Sequence, residues 1–387
     1  MGHNFVYLDN AATSFPKPES VYEAVNRALR EECGNPGRSG HRLSLSAGRI
    51  VSETRVLCAR LFNARSPESI IFTNNATTAL NMAIKGMLRR GDHVITSTIE
   101  HNSVARPLKH SERSGIEVTK IPTNLHRGLD ASNVEKAMRP NTALVVCSHI
   151  SNVTGTVNDI ASIAEFCSDT GIPFLVDAAQ SAGVRPIDVQ SIPIDFLAFP
   201  GHKGLLGPQG TGGLYIRPGL DIDAILHGGT GSESESLIQP ESMPEKFESG
   251  TLNTPGLAGL AAGIRFILET GTENIKRHET ALTNRLIEGI SGIAGINIIG
   301  PGPSQNRGSV VSLQIENCSS ADAALMMDAA FNIAVRGGLH CAPDAHRTAG
   351  TLGSGGTVRI SPNFLNTEDD IDRCVMALEA VISNCSL

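Results

Sequence analysis

Lys203 is the residue in this sequence whose surroundings most suggest covalent chemistry. It follows the apolar run Asp195–Phe199 and lies in the glycine-rich segment Pro200–Gly213. The apolar run predicts a short buried strand that delivers the lysine into a segment with little side-chain bulk. Partial burial lowers the pKa of a lysine amine, and an uncharged amine can attack an aldehyde to form a Schiff base. The alternative is an ordinary solvated loop lysine.

Asp177 stands at the end of a second apolar run, Pro173–Asp177, which predicts another buried strand. A buried aspartate is costly unless it meets a cation or a hydrogen-bond donor. A protonated pyridine nitrogen is one such partner. The alternative is a helix N-cap, a common role for an aspartate that follows a strand.

Small polar residues in Asn74–Thr78 connect a predicted strand to a predicted helix. The N–H groups at the start of that helix and the Thr77 hydroxyl would form a seat for a phosphate, although helix capping alone also explains this pattern. His101 follows the next predicted strand. Its imidazole could stack on an aromatic ring or merely close a turn.

Arg359 lies in the stretch Gly356–Ser361, so a strand would present a single guanidinium group there. The planar fork of an arginine suits bidentate binding of a carboxylate, and the alternative is a surface arginine. Cys341 lies in a glycine-rich segment that is not typical of a core residue. Four other cysteines lie in apolar patterns typical of small core residues: Cys58, Cys147, Cys167 and Cys374.

The bulk composition predicts an ordinary soluble globular protein. The chain has 387 residues, 40% of them hydrophobic, and a formal net charge of -7. Because it has no Lys/Arg-rich run and only 4% aromatic residues, a nucleic-acid partner is not expected. No apolar run is long enough to span a membrane and the first residues do not resemble a signal peptide, so a cytoplasmic location is expected. The histidines show no ligand-like pairing, so no metal site is predicted.

Seven apolar segments, separated mostly by amphipathic helical patterns, predict a mainly parallel sheet with helices on both faces. Ligands on such sheets bind beyond the carboxyl ends of the strands, and the polar residues singled out above fall there. The predicted strands are Ser69–Thr73, His93–Ser97, Glu117–Ile121, Ala143–His149, Pro173–Asp177, Phe196–Phe199 and Gly213–Ile216.

The C-terminal part alternates strands and helices again and predicts a smaller α/β domain. We predict a large domain over residues 16–260 and a small domain that combines residues 1–15 with 261–387. Near the end of the large domain, Gly228–Thr254 is rich in Gly, Ser, Glu and Pro and has no periodicity. This composition predicts a mobile loop or flap.

These segments together resemble the fold-type I pyridoxal-phosphate enzymes, and within them the class V aminotransferase group that contains the cysteine desulfurases. The resemblance covers nearly the whole chain, and its motifs occur in the family's order, which makes it specific. The segment around Cys341 is similar to the Arg-x-Gly-x-His-Cys-Ala motif of the SufS-like (group II) cysteine desulfurases. The matching segments are Tyr7–Ala12, Asn74–Thr78, Glu100–Ser103, Ser151–Gly155, Asp177–Gly183, Gly201–Lys203, Gly250–Asn253, Arg336–Ala342 and Arg359.

The resemblance implies a role for each of these residues around the cofactor pyridoxal 5'-phosphate. Lys203 would form the Schiff base and later carry a proton, and His101 would stack on the ring. Asp177 would pair with the pyridine nitrogen, and Gln180 would hydrogen-bond the phenolic oxygen. The phosphate contacts would come from Ala76, Thr77, His202 and, from a neighbouring subunit, Thr251.

The resemblance also implies the substrate, which is L-cysteine. Arg359 would bind its carboxylate, and Arg38 would contribute a further substrate contact. Asn152 would contact the cofactor or the substrate. Because Thr251 would act on the neighbouring subunit, a homodimer with shared active sites is expected.

The reaction implied by the resemblance converts L-cysteine to L-alanine. Lys203 would remove the α-proton, and the Cys341 thiolate would take the sulfur as a persulfide, which a sulfur-acceptor protein could then receive. His340 and Arg336 could favour the thiolate electrostatically.

Two other functions remain open from the sequence. The same scaffold supports selenocysteine cleavage, other β-eliminations, epimerisation and transamination. A non-catalytic protein that binds pyridoxal phosphate, or no cofactor at all, is the third reading.

Overall fold

The computed structural model describes residues 5–37, 39–303 and 305–385. The strands of this part of the chain are β1 (Val6–Tyr7), β2 (Ile70–Thr73), β3 (His93–Ser97), β4 (Glu117–Ile121), β5 (Thr142–Ser148), β6 (Phe174–Asp177), β7 (Phe196–Pro200), β8 (Gly212–Ile216), β9 (Ile296–Ile299), β10 (Val311–Ile315), β11 (Ile333–Ala334), β12 (Arg336–Gly338) and β13 (Thr357–Ile360). Its α-helices are α1 (Glu19–Arg27), α2 (Arg42–Phe62), α3 (Ala76–Met87), α4 (Asn102–Ser111), α5 (Ala131–Ala137), α6 (Ile160–Thr170), α7 (Thr254–Thr270), α8 (Thr272–Ile290), α9 (Ser320–Phe331), α10 (Pro343–Thr348) and α11 (Glu368–Cys385).

Strands β2 to β8 form one seven-stranded sheet in the order β2-β8-β7-β6-β5-β3-β4. Neighbouring strands run parallel from β7 across to β4, whereas β8 is antiparallel to both β7 and β2. Parallel neighbours need a crossover of about a dozen residues or more. The connection between β7 and β8, residues 201–211, is too short for one. The mainly parallel seven-stranded sheet predicted from the sequence is confirmed.

Both faces of this sheet are buried. In β7, Phe196 and Ala198 join an apolar cluster that includes residues of α3 and α4. Leu197 and Phe199 point the other way and join a cluster that includes residues of α2, α6 and α7. Because side chains alternate across a strand, continuously apolar strands fit only between two helical layers. Functional side chains are therefore confined to the loops at the ends of the strands.

The C-terminal residues form a second, four-stranded antiparallel sheet in the order β12-β13-β10-β9. Helices α8, α9 and α11 pack on it through a third apolar cluster. Val6 and Leu8 belong to the same cluster, because β1 pairs in parallel with β11. The division into residues 16–260 and residues 1–15 with 261–387 stays a prediction.

Residues 217–253, all of which the structure describes, form neither helix nor strand. The end of this segment is tied down by Glu248, whose carboxylate forms a buried ion pair with Arg55 of α2 at 2.8 Å. Glu248 also accepts a hydrogen bond of 2.6 Å from the N–H of Phe72 on β2. In the described residues, no helix is long and apolar enough to cross a membrane.

Candidate active site

The loops after β3, β5, β6 and β7 surround a space of about 800 Å³, which we call the Lys203 cavity. The N-terminus of α3 and residues of β12 and β13 complete its lining. This is the edge of a parallel sheet at which ligands bind. Eleven of the residues singled out in the sequence line the cavity: Ala76, Thr77, His101, Asn152, Asp177, Gln180, His202, Lys203, Arg336, His340 and Arg359.

Lys203 follows β7 in a turn that only glycines can form. A Cβ atom on Gly201 would clash with Thr211, and one on Gly204 would lie 2.5 Å from the carbonyl oxygen of Ala182. Burial, together with nearby guanidinium groups, lowers the pKa of Lys203 to about 8. An amine with this pKa is partly uncharged near neutral pH, so it can act as a nucleophile or a base.

Asp177 ends β6 and is buried. Its Oδ1 accepts a hydrogen bond of 2.9 Å from the N–H of Ala179. Burial raises the pKa of Asp177, and this hydrogen bond and the charge of Lys203 oppose the rise only in part. A helix N-cap role does not apply, because in the described chain no helix lies between β6 and β7. The carboxylate can therefore hold a cationic ring nitrogen in the cavity.

The N-terminus of α3 reaches the cavity through Ala76 and Thr77. Asn75 caps the helix, because its Oδ1 accepts a hydrogen bond of 2.9 Å from the N–H of Thr78. The other first-turn N–H groups have no partner within the helix, and the partial positive charge at a helix start favours an anion. The Thr77 hydroxyl is held by Ser103 Oγ at 2.7 Å. This geometry suits a phosphate group.

His101 is the N-cap residue of α4 and also lines the cavity. Its Nδ1 accepts a hydrogen bond of 3.0 Å from the N–H of Ser103, so the proton of the neutral ring is on Nε2. Burial, together with the charge of Lys203, lowers the pKa of His101 to about 4. The imidazole is therefore neutral at pH 7. It caps α4 and also contributes to the lining of the cavity.

Arg359 of β13 is only 1% exposed, which excludes an ordinary surface role. Its Nη2 donates to Asp9 Oδ1 at 2.6 Å, and its Nη1 donates to the carbonyl oxygen of Asn152 at 3.2 Å. Each of these bonds uses one hydrogen of a nitrogen that has two, so N–H groups remain for a carboxylate. Sequence reasoning missed Asp9 as a site residue, although it lies in the matched segment Tyr7–Ala12.

Four buried polar atoms of the cavity lining have no hydrogen-bond partner among the described residues: Asn152 Oδ1, His202 Nδ1, His340 Nδ1 and Arg359 Nε. Buried polar atoms are nearly always paired in proteins. The unpaired atoms therefore indicate a polar ligand. Gln180 contributes a further donor, because its Nε2 gives one hydrogen to the carbonyl oxygen of Ala11 at 3.0 Å and has a second hydrogen.

Cys341 is exposed and lies beside the Lys203 cavity, whereas the adjacent His340 is part of the lining. The two residues have φ angles of 48° and 56°, a left-handed conformation that residues other than glycine rarely adopt. Asn152 Nδ2 donates to the carbonyl oxygen of His340 at 2.7 Å. The N–H of Asn102 donates to the carbonyl oxygen of Cys341 at 2.8 Å. These bonds hold the thiol next to the start of α4.

His340 does not carry the positive charge that the sequence suggested. Its Nε2 lies 3.0 Å from the carbonyl oxygen of Thr357, and the ring is buried. Burial, together with the charge of Arg359, lowers the pKa of His340 to about 2. The expectation that His340 favours a Cys341 thiolate electrostatically is therefore wrong. The same expectation for Arg336, which lines the cavity, stays a prediction.

Thr251 does not line the Lys203 cavity of its own chain. It is exposed and borders two surface grooves beside Gly250 and Leu252. A contact between Thr251 and a phosphate in such a cavity must therefore come from a second copy of the chain.

Two further predictions concern a substrate contact and a metal. The predicted substrate contact, Arg38, lies outside the described residues. Within residues 5–37, 39–303 and 305–385, no three His, Cys, Asp or Glu side chains gather as a metal site.

The chain is similar to known proteins over nearly its whole length. The family model of aminotransferase class V matches residues 6–374. A probable cysteine desulfurase of Methanothermobacter thermautotrophicus is 38% identical over 381 residues, which cover 97% of this chain and 94% of that protein. The apo structure of the cysteine desulfurase of Thermococcus onnurineus is similar with a TM-score of 0.92 and 34% identity, over 98% of this chain and 95% of that one. The cysteine desulfurase CsdA of Escherichia coli follows with a TM-score of 0.88 and 29% identity, over the same shares.

Proposed function

The chain belongs to the aminotransferase class V family, and we propose that it is a cysteine desulfurase that uses pyridoxal 5'-phosphate. L-cysteine is converted to L-alanine, and the sulfur moves to Cys341 as a persulfide. The observation that carries this proposal is the Lys203 cavity. In it a lysine of low pKa, the buried Asp177 and the buried Arg359 face one space, with an exposed thiol beside it.

The cavity residues fit the proposed cofactor. Among the described residues no cation forms an ion pair with the buried Asp177 carboxylate, and the N-terminus of α3 favours an anion. Ala76, Thr77 and His202 would hold the phosphate, and Gln180 would hold the phenolic oxygen. When bound, the cofactor supplies an electron sink that makes the α-proton of an amino acid easier to remove.

Arg359 and Lys203 would handle the substrate. Arg359 would bind the α-carboxylate through its remaining N–H groups, while Asp9 holds the guanidinium in place. Lys203 Nζ would take the α-proton and return a proton to the product. Its pKa of about 8 leaves roughly a tenth of the amine uncharged at pH 7, enough for a base that works near that pH.

Cys341 would act as the sulfur acceptor within the active site. Its thiolate sulfur would attack the sulfur of L-cysteine, so that a new S–S bond forms while the substrate C–S bond breaks. The electron pair of the C–S bond would stay with the carbon, which takes up a proton and becomes the methyl group of alanine. The hydrogen bonds from Asn152 and Asn102 to its loop hold the thiol close to the cavity for this step.

The test is mass spectrometry of the cofactor-loaded protein after exposure to L-cysteine, together with assays of alanine and sulfide. We expect a mass increase of one sulfur atom on Cys341. Cys341→Ala should lose alanine formation from L-cysteine, while Cys33→Ala, which removes another exposed cysteine, should keep it. If Cys341→Ala retained full activity with L-cysteine, the proposed nucleophile would be wrong. L-selenocysteine as a second substrate separates a desulfurase from a selenocysteine lyase.

A homodimer with shared active sites is part of the proposal. It is supported by the position of Thr251, which is exposed and away from the cavity of its own chain. A sulfur-acceptor protein, the SufS-like subtype and a cytoplasmic location stay predictions from the sequence.

A further inference from the structure

A second space adjoins the Lys203 cavity on the outer side of His101. It is an open groove of about 740 Å³ between α3 and α4, and Cys341 lies at its border. We call it the Cys341 groove, lined by Asn81, Lys85, Asn102, Arg106, His110 and Cys341. Thr77, His101 and Ser103 line both spaces, so the groove and the cavity adjoin at these residues.

The Cys341 groove is positively charged in a protein of net charge -7. Lys85 and Arg106 are exposed, and neither forms an ion pair among the described residues. By contrast, Lys109, which lies on α4 like Arg106, forms an ion pair with Glu112 at 2.5 Å. The described lining contains no aspartate or glutamate. Two uncompensated cations in a concave surface attract anions and raise their rate of encounter.

The shape of the groove favours a macromolecular partner. Small ligands bind in concavities that bury most of their surface, whereas this groove is open to solvent along two helices. We propose that the Cys341 groove docks an acidic segment of a sulfur-acceptor protein, with a cysteine flanked by carboxylates. This inference rests on the proposed function, because it supplies the destination of the Cys341 persulfide.

The transfer is balanced without any oxidant. The thiolate of the acceptor cysteine attacks the outer sulfur of the Cys341 persulfide. One S–S bond forms on the acceptor while the S–S bond on Cys341 breaks, and Cys341 leaves as a thiolate with that electron pair. The thiolate on the attacking side is replaced by one on the leaving side, so charge and electrons are conserved.

The experiment uses the cofactor-loaded enzyme and two synthetic nonapeptides, each with one central cysteine, flanked by glutamates in one and by lysines in the other. Sulfur transfer from persulfide-loaded Cys341 to each peptide is followed by mass spectrometry at low ionic strength. We expect the acidic peptide to react about tenfold faster, as electrostatic attraction of an anionic partner predicts. The double variant K85E/R106E should abolish that preference, and added salt should reduce it.

Lys109→Glu is the matched control, because it reverses a charge on α4 outside the groove. It should keep the preference for the acidic peptide. Dithiothreitol, a small neutral thiol, should discharge the persulfide equally well in every variant. Equal rates with the two peptides, or a preference that survives in K85E/R106E, would overturn the proposal.

Binding without chemistry separates this proposal from the proposed function. Peptides in which serine replaces cysteine are labelled, and their binding is followed by fluorescence anisotropy. Tighter binding of the acidic peptide, lost in K85E/R106E, supports the docking surface even if Cys341 never carries a persulfide. If persulfide and alanine form but both peptides bind alike, the proposed function stands and the docking surface is refuted.

Discussion

Glu279 provides a quantitative test of burial in this fold. It lies on α8, is 4% exposed, and faces a second cavity, which Lys203 also borders. Ser309 Oγ donates to its Oε2 at 2.6 Å. Burial raises the pKa of Glu279 from its ordinary value of 4.5 to about 7 despite this hydrogen bond.

The sign and size of the effect follow from proton linkage. Below pH 4.5 the carboxyl is protonated in both folded and unfolded chains, so its burial does not lower the free energy of unfolding through charge. Between 4.5 and about 7 the unfolded chain releases its proton first, so the free energy of unfolding falls as pH rises. One pKa unit corresponds to about 1.4 kcal/mol, so the loss approaches about 3 kcal/mol above pH 7.

We therefore expect Glu279→Gln, which has no charge to bury, to become more stable relative to the wild type between pH 5 and pH 8. The difference should be about 2 to 3 kcal/mol in the free energy of unfolding, measured by urea unfolding of the apoprotein. Glu288→Gln changes an exposed glutamate on the same helix, and its effect should be equal at both pH values. A Glu279→Gln effect that is independent of pH, or that has the opposite sign, would refute the reasoning.

Two predictions concern the active site. Asp9→Asn should raise the KM for L-cysteine about tenfold with a smaller change in kcat, because the charge-assisted bond that holds Arg359 is weakened; an unchanged KM in steady-state kinetics would contradict the positioning role. Thr251→Val should weaken cofactor binding, measured by equilibrium dialysis. In a mixed dimer of one Thr251→Val chain and one Lys203→Ala chain, one of the two shared sites carries neither change. Such dimers should recover up to half of the wild-type activity, whereas no recovery on mixing would exclude shared sites.

Local patterns in the sequence were sufficient for much of the fold. The apolar runs that became β6 and β7 are bounded by turn residues, and strand formation depends mainly on such neighbours. The short strands β11 and β12 were not predicted, because two or three residues cannot show a period. The antiparallel direction of β8 was also not predicted, although the connection after Lys203 is too short for a parallel crossover.

The positions of the candidate site residues were predictable for the same reason. Thr77, His101 and Lys203 each follow a strand of one sheet and Asp177 ends another, and parallel strands bring their carboxyl ends to one edge. Their meeting in one cavity is a consequence of that topology. A residue such as Thr251, which follows no strand, could be placed only by resemblance.

The pairings between distant residues were decided by the tertiary structure. Asp9 holds Arg359 across 350 residues of sequence, and no local pattern encodes such a partner. The neutral state of His340 follows from its burial between elements that are far apart in the chain. The sequence by itself determined which residue types stand after which strands, because that depends on near neighbours. Only the packed structure determined their charges and partners, because solvation depends on everything that surrounds a group.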